Sequence, residues 1–123
     1  MLNEQQTFGL KGESLAVRHL KKQGYRIIAE NYRTRFGEID IIAEEGGVIA
    51  FIEVKSRKSR RYGSPKAAIH RKKMRTMSMV ALHFLKSEGR MNDRARFDVV
   101  AIDAACAPPA IQVIRNAFEL AYG

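Results

Sequence analysis

Asp40, Glu53 and Lys55 stand within GEIDIIAEEGGVIAFIEVKSR, residues 37–57, a stretch otherwise apolar enough for a protein core. An ionised group buried without a partner is strongly destabilising, so charges in such a setting recruit a counter-charge or shift their pKa. Gly46-Gly47 suits a two-residue hairpin turn of the primed type. That register opposes Glu45 to Val48, Ile42 to Phe51 and Asp40 to Glu53, with Glu38 facing Lys55 on the same side. Directly opposed residues hold their Cβ atoms about 4.5–5.5 Å apart, a separation at which like charges repel. Alternation along the strand puts Glu53 and Lys55 on one face and Val54 on the other. Two carboxylates aimed at one point form half of a cation's coordination shell, and hard oxygen ligands select Mg²⁺ or Mn²⁺, with phosphate oxygens and waters completing an octahedron. The chemistry that suits this set is phosphodiester hydrolysis, with Asp40 and Glu53 as ligands and the Lys55 ammonium orienting a nucleophile or offsetting developing charge. On the residues alone, a structural cluster in which Lys55 bridges the two carboxylates is an equal alternative.

The surrounding sequence must supply elements that hold this hairpin. From about Gln5 to Gln23, Ala16, Val17 and Leu20 share one helical face and Gly24 gives the stop. Glu13 falls on that same face, which brings a third carboxylate toward the hairpin, while Gly9 and Gly12 in the helix imply close approach to another backbone. Tyr25 to Tyr32 reads as a strand, followed by the hairpin. Ser64 and Pro65 form a helix start signal, and Met74, Met77, Ala81, Phe84 and Leu85 continue a second helix until Gly89. Phe97 to Ile102 reads as a strand and Ile111 to Ile114 as a weaker one. The expected order is αβββαβ, with room for a further short strand: an α/β domain with a mixed sheet and an antiparallel hairpin flanked by helices. A length of 123 residues without a linker or repeat fits one domain, 1–123.

The chain is strongly basic, with 22 Lys and Arg against 13 Asp and Glu and a formal net charge of +9. Such a balance favours a polyanionic partner, nucleic acid foremost. Every charged residue from Lys55 to Ser87 is Lys or Arg. Arg57, Lys58, Arg60 and Arg61 follow the candidate catalytic strand, Lys72 and Lys73 open the second helix, and Arg33 and Arg35 precede Asp40. These eight are the candidate phosphate contacts, which position a nucleic acid without reading its sequence. The lone Cys106 cannot form an internal disulfide, and the N-terminal residues lack the basic-then-apolar run of a signal peptide, so a reducing, cytoplasmic setting is expected. No apolar run approaches the ~18 residues of a membrane span. His19, His70, His83 and Cys106 show no zinc-site spacing.

The ordered segments GLKGESLAVRHL, GYRIIAENYR, FGEID, FIEVKSR, YGSP and RFDVV resemble the YraN-like family of small bacterial proteins. That family is itself similar to archaeal Holliday-junction resolvases within the PD-(D/E)xK nucleases. The resemblance implies a restriction-endonuclease-like core in which Asp40 and Glu53 match metal ligands, the Val54 carbonyl supplies a further one, Lys55 matches the catalytic lysine and Glu13 the helical acid. Ile39 stands where the PD signature has proline. The implied activity is Mg²⁺- or Mn²⁺-dependent cleavage of DNA, with branched or junction structures as substrates. The alternative is a non-catalytic nucleic-acid-binding module on the same fold. Similar resolvases are dimeric, which makes the second helix a candidate homodimer face.

Overall fold

The computed structural model describes residues 4–57 and 70–118, with side chains from residue 12 onward in the first of these segments. The elements are α1 (Glu4–Lys22), β1 (Arg26–Thr34), β2 (Gly37–Glu45), β3 (Val48–Arg57), α2 (Arg71–Ser87), β4 (Ala95–Asp103) and β5 (Ala110–Phe118). Five strands form one mixed sheet in the order β1-β2-β3-β4-β5. All neighbours are antiparallel except β3 and β4, which run parallel. A parallel pair cannot close through a tight turn, and α2 lies in the crossover between them. The fifth strand departs from expectation: it is nine residues long and pairs with β4, where the sequence suggested at most a short piece from Ile111 to Ile114. After that run Arg115 and Asn116, the latter at φ 57°, interrupt the alternation before Ala117 and Phe118. The Ser64-Pro65 start signal lies outside the described residues; described α2 begins at Arg71.

The two helices cover opposite faces of the sheet. Ala16 and Leu20 of α1 pack with Ile41, Ala43, Ala50, Ile52, Val100 and Ile102. Met77, Val80, Ala81, Phe84 and Leu85 of α2 pack with Ile39, Ile42, Ile49, Phe51 and Phe97. The run Ile49-Ala50-Phe51-Ile52 thus delivers alternate side chains to the two layers, as a strand buried on both sides must. At Gly12 α1 approaches the sheet tightly: a Cβ there would collide with the Ser56 hydroxyl of β3. Gly37 plays the matching role for α2, since at φ 142° a Cβ would lie 2.5 Å from Thr76 Cγ2. Among the described residues, no helix is long and apolar enough to cross a membrane.

His83 of α2 is exposed, beside the rings of Tyr32 and Phe36. Of the methionines, Met77 is fully buried while Met79 is exposed.

Candidate functional site

The Gly46-Gly47 turn forms with both glycines at positive φ, 57° and 79°, as a type I′ hairpin requires. The pairs run from Glu45↔Val48 through Ile42↔Phe51 to Ile41↔Ile52, in the register read from the sequence. Asp40 and Glu53 come one step beyond the last pair. There the carboxylate replaces the ladder: Asp40 Oδ2 accepts a hydrogen bond of 2.8 Å from the Val54 backbone N–H. Glu38, expected opposite Lys55, is instead ion-paired at 3.0 Å with Arg33 on β1, because the β2–β3 pairing has ended and β1 remains its neighbour.

The departure of Asp40 from the ladder has a local cause. Ile39 packs in the α2 layer and Ile41 in the α1 layer, although residues two apart on a regular strand share a face. On β1, the residue between the pairs Glu30↔Ile41 and Tyr32↔Ile39 is Asn31, at φ 52°. Asparagine is one of the few residues that tolerates this left-handed conformation. With its amide nitrogen turned toward the carboxylates, Asn31 donates to Glu38 Oε1 at 3.0 Å and to Glu13 Oε2 at 3.2 Å. One residue therefore bends the edge of the site and ties the α1 acid to the sheet. Sequence reading missed it; the available signal was an asparagine inside a strand pattern, where that residue is disfavoured.

Asp40 and Glu53 press on one another. Burial, then the neighbouring Glu53 carboxylate, pushes the Asp40 carboxyl from its ordinary 3.8 up to about 7. The Val54 N–H and the Lys73 ammonium oppose that shift. Glu53 is only 5% exposed, and its Oε2 lies 3.0 Å from Lys73 Nζ without a directed hydrogen bond. The cation on Glu53 is thus supplied by α2, and not by a Lys55 bridge between the carboxylates. Lys55 follows two residues after Glu53 on β3 and is partly exposed. Glu13 is near enough that the Asp40 charge, after burial, raises its pKa. It does not complete a cluster: among the described residues no three Asp, Glu, His or Cys side chains converge to hold a metal ion. Of the groups expected to hold a metal, Asp40 and Glu53 adjoin one another, and Val54 is tied to Asp40 through its backbone N–H.

The residues matched by the model of the uncharacterised protein family UPF0102 are 12–102, which span α1 to β4 and the whole Asp40–Glu53 region. The chain belongs to UPF0102. A UPF0102 protein of Desulfosudis oleivorans is 47% identical over 97% of this chain and 95% of its own length. Those of Syntrophus aciditrophicus and Geobacter metallireducens are also 47% identical, each over 94% of this chain and over 91% and 95% of their own lengths. UPF0102 is the YraN-like family whose segments were read in the sequence.

The basic residues of this UPF0102 chain divide. Arg35 is exposed with its guanidinium 4.8 Å from the Phe36 ring centroid, Lys72 is exposed, and Arg57 is half-buried at the end of β3. Arg33 is exposed but committed to Glu38, and Lys73 to Glu53. Lys58, Arg60 and Arg61 lie outside the described residues.

A second charged group centres on Asp98, fully buried, which accepts from Arg96, from the Tyr25 hydroxyl at 2.9 Å and from the Asn116 N–H. Arg96 continues to Glu45 at 2.6 Å, which Arg115 clasps with two bonds. Arg115, with Arg96 behind it, holds Glu45 down to about 2, while burial and Asp98 push the Tyr25 phenol up to about 12. Glu45 places one end of this network at the turn end of β2, while Asp98 pairs with Ile52 and so lies on the face of the sheet opposite Glu53.

Proposed function

We propose that this UPF0102 chain is a metal-dependent, endonuclease-like protein that hydrolyses phosphodiester bonds in DNA, branched or junction structures among them. The fold it would use is the restriction-endonuclease-like core of the PD-(D/E)xK nucleases and archaeal Holliday-junction resolvases. The observation that supports the reading best is the burial of Asp40 beside Glu53: burial first, and then the Glu53 charge, push Asp40 up to about 7, and the buried Glu53 Oε2 has an ammonium 3.0 Å away but no directed hydrogen bond. Such a pair gains most from a dication between its oxygens. Asp40, Glu53 and the Val54 carbonyl would hold Mg²⁺ or Mn²⁺, which when bound supplies Lewis acidity and positive charge for phosphate chemistry. Lys55 would orient a nucleophile beside the carboxylates, and Glu13, tied by Asn31, would support Asp40 from the α1 side. Arg33, Arg35, Arg57, Lys58, Arg60, Arg61 and Lys72 would carry backbone phosphates. The lone Cys106 suits a reducing cytoplasm.

A second reading, a DNA-binding module without cleavage, draws support from Lys73, which already neutralises Glu53, and from the lack of a third converging acid among the described residues. Incubation with branched, flapped, single-stranded and duplex DNA in Mg²⁺ or Mn²⁺ separates them. Cleavage by the natural protein that Asp40→Asn and Lys55→Ala each reduce by about 100-fold or more is expected. Cleavage unchanged in both variants overturns the site, and tight binding with no cleavage of any substrate supports the second reading.

A further inference from the structure

Lys73 has a place in the site that its surroundings explain. It is the third residue of α2, and the helix is fixed to the sheet by Met77, Val80 and Phe84, so its stem is delivered to one location. Its neighbours Arg71 and Lys72 are exposed, whereas Lys73 is two-thirds covered and its ammonium lies 3.0 Å from Glu53 Oε2. Its field reaches Asp40 as well. Two carboxyl groups and one ammonium crowd a place where the Glu53 side chain is 6% exposed.

We propose that Lys73 is a resident counter-cation: it occupies Glu53 while the carboxylate pair is metal-free and gives up that position when a divalent cation enters. The inference rests on the metal-site reading above and adds a competition to it. A monovalent ammonium and a dication cannot both sit against the same Glu53 oxygen without mutual repulsion, so each weakens the other's hold. Lys73 thereby protects the empty pair from self-repulsion and sets the metal affinity below what two free carboxylates would give. Once displaced, its ammonium becomes available to an anion, which unites its place on Glu53 with the basic run in which it occurs.

The test is Mn²⁺ binding by the full chain without nucleic acid at about pH 8, followed by the electron paramagnetic resonance signal of the free ion. Lys73→Gln is expected to bind Mn²⁺ about tenfold tighter than the natural protein, while Lys73→Arg, which keeps the charge, stays within about twofold. Equal or weaker binding by a folded Lys73→Gln overturns the proposal. If that variant does not fold, the natural protein answers: the Lys73 side-chain resonance, followed by NMR on addition of diamagnetic Mg²⁺, is expected to move toward that of a solvated lysine. A resonance unmoved at saturation overturns the inference. Asp40→Asn separates the two levels. Mn²⁺ binding that Asp40→Asn abolishes but Lys73→Gln leaves unchanged sinks the counter-cation alone, whereas binding indifferent to Asp40→Asn sinks the metal site and the counter-cation with it.

Discussion

Asp40 carries the pH signature of the site. Its carboxyl, pushed by burial and by Glu53 up to about 7 from an ordinary 3.8, holds a proton in the folded chain that the unfolded chain releases over that interval. The contribution of Asp40 to stability is therefore greatest below the lower value, falls as pH rises through the interval, and levels off above about 7. Asp40→Asn removes the titration while its amide oxygen still accepts from the Val54 N–H. In chelator, thermal unfolding between about pH 4 and pH 8 should show the natural protein losing roughly 2–4 kcal/mol more than the Asn variant. Equal slopes for the two proteins would show that Asp40 is not the group responsible. The residue-level lesson is that two carboxylates could be paired from the Gly-Gly register, but the Val54 N–H that one accepts and the Lys73 that the other faces could not.

The elements owe their spacing to two glycines. At Gly12 the obstacle to a methyl group is the hydroxyl of Ser56, the end of a side chain, while at Gly37 it is Thr76 on a packed helix, combined with a φ of 142° that other residues avoid. Gly12→Ala is expected to destabilise modestly. The double variant Gly12→Ala, Ser56→Ala should recover the loss and gain up to about 1 kcal/mol from helix propensity, giving a non-additive cycle in urea unfolding. Gly37→Ala has no such remedy and should lower stability by about 2–3 kcal/mol while weakening Mn²⁺ binding, since it lies three residues from Asp40. Additive behaviour at Gly12 and Ser56 would mean that their contact does not limit the approach of α1. The sequence pointed to close approach through Gly12 without naming what it meets, because the contact joins residues 44 apart along the chain.

At the scale of the molecule, β4 is anchored by Asp98, whose buried charge is shared by Arg96, Tyr25 and the Asn116 N–H across three parts of the chain. Breaking one partner of a buried pair leaves the other uncompensated. Asp98→Asn should lower the free energy of unfolding by about 3 kcal/mol in urea without changing Mn²⁺ affinity, because Asp98 pairs with Ile52 and shares its face of the sheet, opposite that of Glu53. A matched loss of Mn²⁺ binding would join the two charged groups into one unit.

The sequence by itself determined the α/β class, the two helices, the hairpin register and the family, because each rests on short-range rules: apolar periodicity, glycine at positive φ and segments met in order. The closeness of Asp40 to Glu53 was legible for the same reason, since the two-residue turn fixes the register up to Ile41↔Ile52, one step short of them. Only the tertiary structure decided where the β2–β3 pairing stops, how Asn31 bends β1 beside Asp40, and which ammonium neutralises Glu53. Those outcomes depend on how helices from distant parts of the chain settle on the two faces of the sheet, and that packing leaves no periodic trace in the residues it brings together.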